Sequence, residues 1–267
     1  MTACRLSSID FDIAASAGWY SAIAGLLAGF ALLYILFPLD HETTLSDVTD
    51  TGNAVVVFTC AFFSLLILAF TYAVLAGRTG DGPVVGLAAH EQLPNGTAFG
   101  LTTLLLLFGL HELLRAYGAN RQAFEPARHV IVMMTSIVGP LMVLAFQFSN
   151  TLDLERYRAA STEASSVQCR MWGLPDGVWI NLGIIALASA AVLVLAAVRY
   201  RLPRRCSAPV LAAKAVLGFT VAVTGWAAVV LPLLQASAVT SALFEHLALV
   251  VMATATVGVA GASWLGR

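Results

Sequence analysis

Two pairs of ionisable residues stand inside long apolar runs of this sequence. Glu245 and His246 precede LALVVMATATVGVAG, and His111 and Glu112 follow LTTLLLLFGL. A carboxylate beside an imidazole can bind a cation or pass a proton, and an ionisable group inside an apolar run long enough to span a membrane marks a functional site by default. Glu245 and His246 lie about two turns inside their run and are the stronger ion or ligand candidates. Neighbours on a helix point about 100° apart, so at most one of them faces a pocket squarely. His111 and Glu112 stand near a helix end, where Glu112 can pair with Arg115 three residues on. His111 and His129 fall at one membrane level, but two imidazoles without a third ligand or a spacing motif assign no metal.

Other chemistry is not written here. No HExxH, no Gly-rich phosphate loop and no nucleophile–base constellation occurs, so no catalytic residue is assigned and the chain is not read as an enzyme. The four cysteines, Cys4, Cys60, Cys169 and Cys206, show no zinc-like spacing. The formal net charge of -1 removes any bulk electrostatic case for nucleic acid.

The elements that must carry these residues are membrane helices. Of 267 residues, 59% are hydrophobic and 11% charged, with mean hydropathy +0.86. A soluble domain carries about 25% charged residues, so lipid must be the solvent here. Seven runs reach the roughly 20 residues a spanning helix needs. They cover about 18–37, 52–77, 96–117, 129–150, 176–198, 207–234 and 238–264 and are numbered spans 1 to 7. Their apolar content is too continuous for the alternating strands of a barrel. The chain reads as one all-α domain over 1–267, without repeats. The N-terminal segment has no apolar core of a signal peptide, so span 1 is expected to direct insertion.

Loop charge sets the orientation. Loops 1, 3 and 5 and the C-terminus hold eight arginines, among them Arg199, Arg201, Arg204 and Arg205; the opposite side holds five. The expected topology is N-terminus outside and C-terminus cytoplasmic. Two outer loops are long. The segment between spans 2 and 3, GRTGDGPVVGLAAHEQLPNG, has the Gly and Pro spacing of a short hairpin. The segment between spans 4 and 5, TLDLERYRAASTEASSVQCRMWGLPDG, is partly amphipathic and suits the membrane surface. On this topology Cys4 and Cys169 both lie outside, where a disulfide can form.

Four segments, LTTLLLLFGL in span 3, GFALLYILF in span 1, AFTYAVLAG in span 2 and ATATVGVAG in span 7, together resemble archaeal type 1 (microbial) rhodopsins. Leu101–Leu110, LTTLLLLFGL, is similar to their Thr-Thr-Pro-Leu-Leu-Leu-Leu helix, with Leu104 in place of Pro. GFALLYILF closes span 1 like their Gly-x-x-x-Leu-Tyr-Phe-Leu, AFTYAVLAG in span 2 is similar to Ala-Phe-Thr-Met-Tyr, and ATATVGVAG in span 7 to Ser-Ala-Lys-Val-Gly-Phe-Gly. The resemblance implies a seven-helix, N-out, C-in bundle with a hairpin in the second loop. It also implies that Phe99, Thr102, Thr103, Trp226, Met252 and Thr256 line a central pocket.

The departures remove the family's photochemistry. Thr256 stands where the resemblance implies the retinal lysine, Met252 and Ala98 where it implies the counterions, Asn95 at the nearby arginine and Gly109 at the proton donor. A Schiff base needs an amine, which Thr cannot supply. Lys214, the sole lysine, lies about two turns inside span 6 and reads as a side chain snorkelling to the headgroups. The expected protein is therefore a retinal-free, receptor-like or accessory seven-helix component of the cell membrane. No cofactor is expected; retinal or a carotenoid held without a covalent bond is the alternative, and an ion or proton channel or transporter using Glu245 and His246 is another. Small residues in spans 5 to 7 (ALASAA, ATATVGVAGAS) suit close packing, including in a homo-oligomer or with a partner subunit.

Overall fold

The computed structural model describes residues 12–40, 48–78, 83–116, 121–161, 174–201, 208–234 and 241–265. Span 1 is α1 (Ile13–Asp40), span 2 is α2 (Val48–Ala76) and span 3 is α3 (Pro83–Ala116). Span 4 runs through α4 (Arg121–Met133), a π-helical turn (Met134–Val138) and α5 (Gly139–Ser161). Span 5 is α6 (Asp176–Val198). Span 6 is α7 (Ala208–Gly225), a second π turn (Trp226–Val230) and a 3-10 turn (Leu231–Leu233), and span 7 is α8 (Ala242–Leu265). All seven are long and apolar enough to cross a membrane. The shortest, α6 with 23 residues, reaches about 35 Å at 1.5 Å per residue, against a hydrocarbon core of about 30 Å.

Local chemistry explains the helix ends and irregularities. Asp12 caps α1 by accepting the Ala15 N–H at 2.9 Å. Both π turns directly precede a proline region: Gly139 N–H bonds to Met134 O before Pro140, and Leu231 N–H to Trp226 O before Pro232. A proline ring collides with the carbonyl four residues back, and a widened turn gives that carbonyl room. Threonine hydroxyls are satisfied within the helices. Thr102 donates to Ala98 O and Thr103 to Phe99 O, at 2.7 and 2.9 Å.

Span 3 is the hub. It packs on spans 1, 2, 4, 6 and 7, and span 2 additionally holds spans 1 and 6. Span 5 lies against spans 4 and 7. Ala188, Ala253 and Ala260 are buried where spans 5 and 7 meet, with Leu144 of span 4. Large apolar side chains point outward on every side, from Trp19 and Phe70 to Leu187, Leu211 and Leu243. In water such a surface would drive aggregation; in lipid it is the ordinary exterior. The face where span 1 starts is called the N face below, and the face where span 7 ends the C face.

Three sequence expectations are corrected. The hairpin expected between spans 2 and 3 is instead the start of α3 from Pro83, with Pro94 inside the helix; residues 79–82 lie outside the described residues. Gly86, which reads as a turn signal, is a close-approach residue: a Cβ there would collide with the Tyr157 ring of span 4. The first part of the surface segment expected after span 4 continues α5 to Ser161, so Arg156 and Arg158 are helical rather than loop residues; residues 162–173 lie outside the described residues. Its pairs Asp153–Arg156 and Glu155–Arg158 are three apart, the helical spacing. Finally, α8 starts at Ala242 rather than near 238, which places Glu245 in its first turn rather than two turns in.

Candidate functional site

Glu245 is the centre of a buried ionic network at the N face. Its backbone N–H bonds to Ser241 O at the helix start, and a carboxylate in a first turn meets the positive end of the helix dipole. The side chain has no exposed surface. Oε2 accepts from Arg158 Nη2 of span 4 at 2.7 Å, and Oε1 accepts from Asn181 Nδ2 of span 5 at 2.6 Å. The Asn181 amide is therefore oriented with Oδ1 free to accept, and it lies 2.8 Å from His246 Nδ1. An amide oxygen cannot donate, so Nδ1 of His246 carries the proton in this arrangement. Sequence spacing suggested that one of Glu245 and His246 at most could face the interior squarely. Glu245 does, and His246 joins the network through Asn181.

Arg158 extends the network within span 4. Its Nη1 donates to Glu155 Oε1 at 2.5 Å while Nη2 holds Glu245, so one guanidinium bridges two carboxylates through its planar fork. Gly177 permits this: a Cβ there would collide with Glu155 Oε1, so only a glycine lets span 5 begin beside that carboxylate. Arg158 and His246 are the partly exposed members of the network, Arg158 at 16% side-chain exposure against 4% for Glu155. Two further ion pairs lie at the same face, Arg78–Glu91 and Asp153–Arg156, each at 2.9 Å.

The polar contacts change character toward the middle of the bundle. Gln147 Nε2 donates to Thr256 Oγ1 at 3.0 Å, Thr256 donates to Met252 O, and Thr97 Oγ1 lies 3.3 Å from Met252 Sδ. These groups are neutral and fully buried. Thr256→Val is expected to cost about 1–3 kcal/mol, because it leaves the Gln147 amide with only a 3.4 Å approach to Met252 O. Adding Gln147→Met removes the stranded amide and should return the melting midpoint in detergent to within about 1 kcal/mol of the parent. A Thr256→Val protein that melts like the parent would show that the bond carries no stability.

The expected site residues separate into distinct places. Phe99 and Thr103 line a cavity between spans 1 to 4, with Phe99 edge-on to Tyr20 and Tyr72. Thr102, Met252 and Thr256 are packed in the interior. Trp226 stacks on Phe244, ring centroids 5.5 Å apart. His111 and Glu112 are buried at the C-face end of span 3, His111 lying parallel to the Phe108 ring, whereas His129 is exposed. Lys214 is exposed on span 6. Among the described residues, no group of three His, Cys, Asp or Glu gathers that could hold a metal. Cys4 and Cys169 lie outside the described residues.

Sequence reasoning missed Glu155, Arg158, Asn181 and Gln147. For the first two a signal existed in the helical i, i+3 pairing of Glu155 and Arg158. For Asn181, a lone amide in an apolar run, the signal was its polarity alone. Comparison with protein-family models, with curated proteins and with solved structures returns no match for this chain.

Proposed function

We propose that this chain is a receptor-like seven-helix protein of the cell membrane, without covalent retinal photochemistry, whose working part is the ionic network at an outward-facing N face. The observation that carries this reading is Glu245, fully buried and held at once by span 4 and span 5. Among the described residues the network sets two carboxylates, Glu155 and Glu245, against one guanidinium, Arg158, with His246 at its edge. Buried charge is tolerated only when compensated, so the network has room for one more positive charge. A proton arriving from outside neutralises it and tightens the junction of spans 4, 5 and 7; its departure loosens that junction. The result is a local charge event biasing a helix arrangement, which is what a receptor requires.

A sensing role fits better than a pump. The interior contacts beyond the network run through Gln147, Thr256, Met252 and Thr97, none of which titrates. A proton relay needs titratable steps, and the next ionisable pair, His111 and Glu112, is at the opposite end of the bundle. The resemblance to microbial rhodopsins contributes a scaffold to this reading and no chemistry, since Thr256 has no amine and Lys214 faces outward.

The test uses the full chain in liposomes, with a pair of spin labels on the N-face ends of spans 4 and 7. Acidifying the outer solution from pH 7.5 to 5.5 should shorten the distance in the parent and leave Glu155→Gln unchanged, because that variant already lacks the surplus carboxylate. A parent distance that ignores pH overturns the reading. A steady proton flux across the liposome, abolished by Glu245→Gln, would replace it with a transporter.

A further inference from the structure

A second site lies away from the network and does not rest on it. A groove of about 310 Å³ runs along span 3, between Tyr20 and Tyr72 on one side and span 4 on the other. Its outer wall is Met134, Met142 and Phe146, which are 38%, 50% and 55% exposed, so it opens sideways into the lipid. Gly96 and Gly100 form the floor. The volume is at the lower end of the roughly 300–1,000 Å³ range of small-molecule sites, too small for a two-chain phospholipid. Its length is that of a single chain: Gln92 to Leu107 is fifteen residues of helix, about 22 Å.

The two ends of the groove differ. From Phe99 and Gly100 toward Leu107 and Met134 the lining is almost wholly apolar. At the N-face end, Gln92, Tyr72 and Asn150 converge. Tyr72 is 1% exposed and Gln92 8% exposed, and among the described residues neither the Tyr72 hydroxyl nor Gln92 Oε1 has a hydrogen-bond partner. Both line the groove. Asn150 Nδ2 and Tyr72 OH lie 2.6 and 3.9 Å from where a Cβ on Gly96 would stand, so the glycine leaves the space into which they point. An unsatisfied buried polar group costs about 1–3 kcal/mol, and two at one end of an apolar groove call for a hydrogen-bonding head. Among the described residues, no Lys, Arg, His, Asp or Glu lines the groove, and none of them neutralises a phosphate or an ammonium there.

We infer that this groove binds an uncharged, single-chain amphiphile with a hydroxyl head, the head donating to Gln92 Oε1 and accepting from Tyr72 OH, the chain lying between spans 3 and 4. A straight-chain alcohol or monoacylglycerol and a branched isoprenoid alcohol share this chemistry. Diazirine-bearing oleyl alcohol and diazirine-bearing geranylgeraniol separate the two sources, with diazirine-bearing oleoyl lysophosphatidylcholine as the charged-head control. Each is photo-crosslinked to the purified full chain in detergent micelles, and labelled peptides are mapped.

At least one alcohol should label Met134, Met142 or Phe146 saturably and be displaced by its unlabelled form, while the lysophospholipid labels the exposed surface without saturation. Tyr72→Phe and Gln92→Leu should each weaken half-saturation about 3- to 10-fold. Met142→Trp, on the lipid face and therefore harmless to folding, should abolish saturable labelling at an unchanged melting midpoint. The inference is overturned if neither alcohol labels saturably, if the lysophospholipid saturates equally well, or if Met142→Trp labels like the parent. None of these outcomes touches the spin-label comparison of the parent with Glu155→Gln.

Discussion

Arg158→Leu is expected to destabilise the bundle by about 3–5 kcal/mol, the usual cost of removing one partner from a buried ion pair. The size follows from what is left behind. Glu155 and Glu245 would stay almost wholly enclosed, facing each other without the guanidinium whose two nitrogens hold one carboxylate each. Two like charges in a low-dielectric interior repel, and neither can reach bulk water. Arg158→Lys should lose less, because it keeps the charge but presents a point ammonium that cannot bridge both carboxylates in a planar fork. The triple variant Arg158→Leu, Glu155→Gln, Glu245→Gln should recover most of the loss, since uncharged amides remove the repulsion. The measurement is the unfolding midpoint of each protein in one detergent, where 3–5 kcal/mol corresponds to on the order of 10 °C. If the triple variant is no better than Arg158→Leu, the residue acts through its packed stem rather than its charge, and the network is not the junction described.

The contrast between what could and could not be read in advance follows from the solvent. Seven spans are countable because lipid demands about 20 apolar residues per crossing, and each of the seven runs became a helix. Their ends were harder. Glu91, Asp153 and Glu155 look like water-facing residues, yet they are buried against neighbouring helices and paired, so spans 3 and 4 run past where polarity suggests a loop. HEQLPNG reads as a turn because Pro and Gly break helices in water. Inside a bundle, neighbours can satisfy the carbonyls a proline frees.

Facing was less legible still. In a soluble helix the polar stripe shows which side is out, but here both sides are apolar. Phe99 and Trp226 were expected to share one space, and the structure sends Phe99 to Tyr20 and Tyr72 and Trp226 to Phe244. Of the network, Glu245 and His246 were visible by type. Their partners were not, because Asn181 and Arg158 are 64 and 87 residues from Glu245 along the chain, a distance no local pattern bridges.

Gly139→Ala should be the most damaging single methyl added to the bundle. The new carbon would collide with Leu104 Cδ2 and stand 2.6 Å from Met134 O. A leucine tip can rotate away, but Met134 O is backbone, the acceptor of the Gly139 N–H that closes the π turn before Pro140. Relief therefore requires the turn itself to move, and with it the register of α5 and the residues it carries to Gln147 and Arg158. Overpacking of this kind costs about 1–3 kcal/mol, and the backbone contact puts this case at the upper end, against a helix-propensity gain of about 1 kcal/mol for Gly→Ala. Gly183→Ala is the matched control: among the described residues nothing lies within 4 Å of its added carbon, so only the propensity gain remains and the protein should melt slightly higher. Opposite shifts from the same chemical change, read as unfolding midpoints in one detergent, would place the cost in the π turn. If Gly139→Ala instead melts with or above Gly183→Ala, the turn is compliant, and the widened geometry before Pro140 is not what sets the course of span 4.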